Sequence, residues 1–168
     1  MRHSLIEDMY LFDFGLYDYL NFIKSDSMKL GYPFVVMAYI FTSDFRVILF
    51  ERSDGLRACP ITGCVEIGES YTSALIREIY EETGIKAQED WMIRADDDYS
   101  AVTPTSKRNI TIVSFGVYLP DGFDAQKEIR LNHEIASYRL VDIKKAVGHI
   151  SWNGLKESRE VYKQITGY

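Results

Sequence analysis

GCVEIGESYTSALIREIYEETGI, residues 63–85, is the stretch on which the reading of this chain turns. Ser70 to Thr83 predicts a helix: Ser70 is a good N-cap, no Gly or Pro interrupts the run, and Gly84 is placed to close it in a left-handed cap. At about 100° per residue, Glu78, Glu81 and Glu82 fall within one sector roughly 100° wide. Like charges at that spacing repel. Glu81 and Glu82 also stand in the last turn, where the helix dipole disfavours anions.

Two readings resolve this mismatch. In one, the helix shows a solvated acidic face and Arg77 pairs with Glu81 a turn later. In the other, the carboxylates face a hard divalent cation, with Mg²⁺ the default for phosphate chemistry. Charge pattern alone favours the solvated face, since charge runs are usually surface. The residues ahead of the helix tip the balance the other way. Gly63, Gly68 and Glu69 form a loop-to-helix junction where backbone can approach a ligand, and such a loop can add a main-chain carbonyl to the carboxylates.

At these positions the segment resembles the Nudix box, G-x5-E-x7-R-E-U-x-E-E-x-G-U with U hydrophobic, and matches every specified position. The resemblance implies a hydrolase of a nucleoside diphosphate linked to another group, dependent on Mg²⁺ or Mn²⁺. For the fold it implies an α+β protein, an α/β/α sandwich around a mixed sheet.

Composition agrees with a folded enzyme of small molecules. The chain of 168 residues is long enough for one domain with a substantial core, and 46% hydrophobic residues exclude a disordered polymer. With a net charge of −6 and no basic run to track a phosphate backbone, polymeric nucleic acid is not the expected partner. No apolar run approaches the ~20 residues that span a bilayer. Glu7, Asp8, Asp13 and Asp18 interrupt any secretory leader. Cys59 and Cys64 show no metal spacing and read as reduced thiols. The expected location is the cytoplasm, without membrane attachment.

Residues 1–30 read as an aromatic-rich extension, with Leu5, Met9, Phe12, Leu16, Tyr19 and Ile23 at helical spacing. A helical cap on the core is the preferred reading; a homodimer contact or a wall of the substrate pocket are the alternatives. Residues 31–168 form the expected catalytic domain. Phe34–Phe41 and Phe45–Glu51 predict a hairpin turning at Thr42-Ser43-Asp44. A short strand is expected at Cys64–Glu66, a strong one at Ile110–Leu119 with a turn at Pro120-Asp121-Gly122, and another at Ser137–Val141. Asp142 then caps a helix, and Ser151–Tyr168 closes the chain as a helix capped by Ser151 or Asn153, with Leu155, Ser158, Tyr162 and Ile165 inward.

Carried over residue by residue, the resemblance implies that Glu81 and Glu82 ligate the metal, joined by the backbone carbonyl of Thr62, where many relatives have Gly. Glu78 would be a ligand or the base that activates water. Glu69 and Arg77 would pair and orient the acidic helix, which places Arg77 with the catalytic group and Gly63, Glu69 and Gly84 with its support. A further acid from outside the box is expected at Glu134, ahead of a Tyr138–Val141 strand; an ordinary surface carboxylate is the competing reading. Arg52 is the preferred phosphate contact, with Arg57, Lys107 and Arg108 behind it. Asp96 to Asp98 read as a solvated loop, and His133 and His149 as structural or exposed.

The box is silent on substrate. Ser151-Trp152-Asn153 before a helix is similar to the Ser-Trp-Ser-Asn tail of Nudix enzymes acting on dATP or dihydroneopterin triphosphate, without its second Ser; Trp152 would stack on a base there, and a core tryptophan is the competing and commoner reading. The leading expectation is a nucleoside triphosphate pyrophosphohydrolase. Hydrolysis of a nucleotide sugar, ADP-ribose or a dinucleoside polyphosphate is the alternative, and a nucleotide sensor without turnover is a third.

Overall fold

The computed structural model describes residues 34–53, 55, 60–66, 68–102, 109–149 and 156–168. Its strands are β1 (Phe34–Phe41), β2 (Arg46–Arg52), β3 (Ile61–Cys64), β4 (Met92–Arg94), β5 (Tyr99–Val102), β6 (Asn109–Tyr118) and β7 (Ile135–Asp142). The helices are α1 (Tyr71–Thr83), α2 (Ala125–Glu128), α3 (Ile143–Ala146) and α4 (Lys156–Thr166).

FVVMAYIF in β1 has no polar alternation, as a strand covered on both faces requires. Val35, Met37, Tyr39 and Phe41 point into one core, which α3 and α4 close with Ile143, Ala146, Val161 and Tyr162. Val36, Ala38 and Ile40 point into the other, which α1 closes with Ala74, Leu75 and Ile79. Helices therefore cover both faces of one sheet, the α/β/α sandwich expected. Full burial of Leu75 and Ile79 stabilises the α1 contact by about 1.5–3 kcal/mol each. On the opposite face the Tyr162 hydroxyl donates to the Ile143 carbonyl at 2.8 Å, which keeps its polar end satisfied in the core.

The sheet is mixed. β1 and β6 pair in parallel from Phe34↔Thr111 to Phe41↔Tyr118, and the other pairings are antiparallel. The second edge of β1 is divided: β3 takes Val35–Ala38, and β2 takes only Ile40 and Phe41. β2 continues alongside β7 as far as Arg52↔Ile135. This division leaves β3, the end of β2 and the start of β7 as separate supports for one end of the sandwich.

Several expectations shift. The short strand is Ile61–Cys64, upstream of the expected Cys64–Glu66, because Ile61 to Cys64 are the residues that find partners on β1. Phe45 belongs to the turn and not to β2: at φ 60 it closes the loop, its N–H donating to the Thr42 carbonyl at 3.1 Å. The polar stretch after the box contains β4, β5 and a 3-10 turn at Glu89–Trp91, none of which its composition announces. The closing helix is Lys156–Thr166, with Tyr162 buried. Asp142 caps α3 as expected, its side chain accepting from the Lys144 N–H. The readings for residues 5–24, Arg57, Cys59, Lys107, Arg108 and Ser151 to Asn153 lie outside the described residues.

Candidate active site

The acidic helix is bounded as its sequence dictates. Ser70 Oγ accepts the Ser73 N–H at 3.0 Å, and Gly84, at φ 72, donates its N–H to the Tyr80 carbonyl at 2.8 Å. Neither the first turn offers an acid nor the last turn a base to offset the helix dipole, so the charge of Glu81 and Glu82 is managed elsewhere.

Arg77 offsets the charge of Glu81 and binds two further carboxylates. Its Nε donates to Glu69 Oε1 at 2.9 Å and its Nη2 to Glu69 Oε2 at 3.0 Å, a two-pronged pairing that only a guanidinium can make. Nη2 also reaches the Cys64 carbonyl at 2.8 Å, at the end of β3. Nη1 donates to Glu78 Oε1 at 2.6 Å and lies 3.5 Å from Glu81 Oε2. The Glu66 N–H completes the seat of Glu69, donating to Oε2 at 3.1 Å. Burial works against charge on both partners, but the ion pairs prevail. Arg77 is held even more firmly protonated than usual by Glu69 and Glu78, and the Glu69 carboxyl is held below the usual range by Arg77.

Gly63 explains the position of Glu78. A Cβ built there would collide with the Glu78 Cδ, Cγ and Oε1, so this carboxylate lies against β3 in space that only a glycine leaves open. Thr62, next to it, is half-buried and in register with Met37. Glu82 is 5% exposed, whereas the Glu81 side chain is 55% exposed. Three carboxylates of one helix thus meet three environments: packed on glycine, open to solvent, and buried.

Glu134 comes to the far end of the same helix. The Arg130 N–H donates to the Thr83 carbonyl at 2.7 Å and the Asn132 N–H to the Glu82 carbonyl at 3.1 Å, so the loop before β7 takes two terminal carbonyls of α1. Asn132 Oδ1 accepts the Glu134 N–H at 2.8 Å. From the other side, Ser53 donates its N–H to the Glu134 carbonyl at 2.7 Å and its hydroxyl to the His133 carbonyl at 2.6 Å. Arg52, 9% exposed, precedes Ser53 and stands opposite Ile135. Arg52, Glu134 and the end of α1 are therefore tied together by backbone. Sequence reasoning missed Asn132 and Ser53; the one available signal was an Asn two residues ahead of a candidate acid, the spacing of an Asx turn.

Elsewhere the charges are engaged in local structure. Asp98 pairs with Arg94, and Asp97 accepts from Gln164 at 3.3 Å. A cleft of about 400 Å³ beside the loop is lined by Phe34, Val65 and Tyr71, but its charged walls are Glu66 and Glu69, which repel an anion. No helix among the described residues is long and apolar enough to cross a membrane.

Among the described residues no three His, Cys, Asp or Glu side chains already converge as a metal cage. The donor set nevertheless fits a hard cation. All candidates are oxygens, and Arg77 Nη1 already places positive charge between Glu78 and Glu81, where two carboxylates of the helix draw together. Glu78, Glu81 and Glu82 on α1 and the Thr62 carbonyl on β3 are the oxygen donors that the box supplies.

A family model for the NUDIX domain matches residues 31–165. No curated protein shows a significant sequence match. Among solved structures, the chain is similar to the E. coli dihydroneopterin triphosphate pyrophosphohydrolase, with a TM-score of 0.60 and 22% identity over 81% of this chain and 97% of that one. It is similar to a C. elegans Ap4A hydrolase, with a TM-score of 0.55 and 16% identity over 79% and 96% of the two chains. It also resembles the NUDIX domain of Shewanella oneidensis NrtR, complexed with ADP ribose, with a TM-score of 0.57 and 12% identity over 79% and 86%. At these identities the likeness establishes the fold.

Proposed function

The chain belongs to the Nudix family and is a hydrolase of phosphoanhydride substrates, and from that premise we propose that it is a nucleoside triphosphate pyrophosphohydrolase. The observation that carries this reading is the Arg77 network, which holds Glu69, Glu78 and Glu81 together on one helix beside β3. The network gathers carboxylates near a helix end where the dipole disfavours them, an arrangement that metal-dependent hydrolysis gives a use.

In this reading Glu81, Glu82 and Glu78 hold Mg²⁺ or Mn²⁺, with the Thr62 carbonyl beside them. When bound, the ion offsets the charge of the polyphosphate and makes a coordinated water more acidic. Arg77 fixes the direction of Glu78 and keeps the helix against β3. Glu78 or Glu134 takes a proton from the attacking water, and the buried Arg52 meets the phosphate chain. In-line attack at phosphorus breaks one P–O bond and releases a nucleoside monophosphate with pyrophosphate. The Ser151-Trp152-Asn153 segment supports a triphosphate substrate with a stacked base. The acidic composition supports a small nucleotide over a nucleic acid polymer, and a cytoplasmic setting is the companion proposal.

The test is turnover of a panel with Mg²⁺: deoxynucleoside triphosphates, a UDP-sugar, ADP-ribose and Ap4A, with products resolved by chromatography. Pyrophosphate with a monophosphate is the expected result. Monophosphate with a sugar phosphate moves the protein to nucleotide-sugar or ADP-ribose hydrolysis. Binding without products turns the proposal into a sensor.

A further inference from the structure

We propose that Asn132 is a positioning residue that sets Glu134 relative to the acidic helix, an inference that rests on the reading of Glu134 as a working acid. Asn132 touches both parts. Its N–H donates to the carbonyl of Glu82 at 3.1 Å, and its Oδ1 accepts the N–H of Glu134 at 2.8 Å. One residue thus links the backbone of a buried carboxylate on α1 to the backbone of the acid outside the box.

The surrounding bonds make the link a constraint and not a chance contact. Arg130 fastens the start of the loop to Thr83 at 2.7 Å, and Ser53 fastens Glu134 and His133 to the end of β2 at 2.7 and 2.6 Å. With the loop held at both ends, the Asn132 side chain fixes the turn between them. The chemistry also favours asparagine. An acceptor two residues ahead of an N–H is supplied well by Asn or Asp and more weakly by Ser or Thr. Aspartate would add a negative charge at a helix terminus that already carries Glu81, Glu82 and the negative end of the dipole. Asparagine supplies the acceptor without the charge. Because a displacement of about 1 Å in a reacting group can cost on the order of 100-fold in rate, a single hydrogen bond can matter this much.

The experiment is a double-mutant cycle on the full chain with Mg²⁺ and the deoxynucleoside triphosphate of the panel that turns over fastest. Asn132→Ala removes the acceptor, Asn132→Ser keeps a weaker one, and Glu134→Gln removes the acid. Expected are a fall of about tenfold in kcat for N132A with KM within twofold, a partial return in N132S, and no further loss when N132A is added to E134Q. Hydrogen exchange of the Glu134 amide should quicken in N132A and to a smaller extent in N132S. Full kcat in N132A with a collapsed E134Q overturns the positioning role alone. Equal losses in N132A and N132S, or an added loss in the double variant, assign Asn132 to stability and overturn the proposal. Normal kcat in E134Q overturns the reading of Glu134 beneath it.

Discussion

Glu78 lies on Gly63, in volume that any side chain at position 63 would claim. The contact joins the middle of α1 to β3 and leaves the Glu78 carboxylate facing Arg77 Nη1 at 2.6 Å. Gly63→Ala therefore forces Glu78 aside while leaving the core residues Leu75 and Ile79 in place. Expected is a fall in kcat on the order of 100-fold, since small displacements of reacting groups are amplified, with an unchanged far-ultraviolet circular dichroism spectrum. Near-normal kcat would show that Glu78 need not stand where it does.

Arg77→Lys keeps the charge but loses the fork. A lysine cannot reach Glu69 through two parallel bonds and also hold Glu78 and the Cys64 carbonyl. Expected are a loss of about 1–3 kcal/mol in urea unfolding and a fall of about 10- to 100-fold in kcat. Wild-type values in both assays would show that a point charge suffices there.

Glu69 gives a pH signature. Burial alone would raise its pKa, but Arg77 and the Glu66 N–H lower it below the ordinary glutamate value. A carboxyl depressed in the folded state contributes stability above its unfolded pKa, and that contribution is lost as pH falls through the folded value. The melting temperature of the wild type should exceed that of Glu69→Gln at neutral pH. The gap should narrow from about pH 4.5 downward, near the unfolded glutamate pKa. A gap that stays constant into acid would remove the ion pair as its source.

Glu82→Gln changes a buried carboxylate into an amide of the same shape. Expected is a loss of turnover of about 100-fold or more, with the melting temperature retained without metal. Mg²⁺ with nucleotide should raise the melting temperature of the wild type and not of this variant, as binding to the folded state alone requires. Removal of divalent metal with EDTA should abolish wild-type turnover. Full activity in Glu82→Gln would contradict the assigned metal shell.

Gly84→Ala tests the end of the helix. At φ 72 an L-residue pays about 1–2 kcal/mol, and its Cβ would meet the Arg130 Cβ at 3.0 Å. Urea unfolding should show that loss, and hydrogen exchange should quicken at residues 130–134. Unchanged stability would mean that the cap relaxes freely.

The parts of the fold legible in the sequence were those with strong local codes. Ser70 and Gly84 bound α1, the uninterrupted apolar run of β1 announces a strand buried on both faces, and the β-branched and aromatic residues of β6 announce a strand. β4 is three residues long with Ile93 61% exposed, so it is defined by its pairing with β6 and not by an apolar pattern. β3 was misplaced for a similar reason, because its limits are set by β1. In the site, the resemblance of the box implied that Glu69 and Arg77 would pair, as they do, but not that Arg77 would also hold Glu78. It did not foretell that the Cys64 carbonyl or Ser53 would take part, since main-chain groups and hydroxyls leave no spacing to read.

The parallel seam between β1 and β6 also governs how the protein comes into being. Phe34 and Thr111 meet side by side, although the whole box helix is strung between them along the chain. Closing so long a loop costs entropy before any contact repays it, which places such topologies among the slower folders, in roughly milliseconds to seconds. The acidic helix, whose caps are local, has time to form and fray many times before the seam closes and supplies the platform on which its carboxylates become useful.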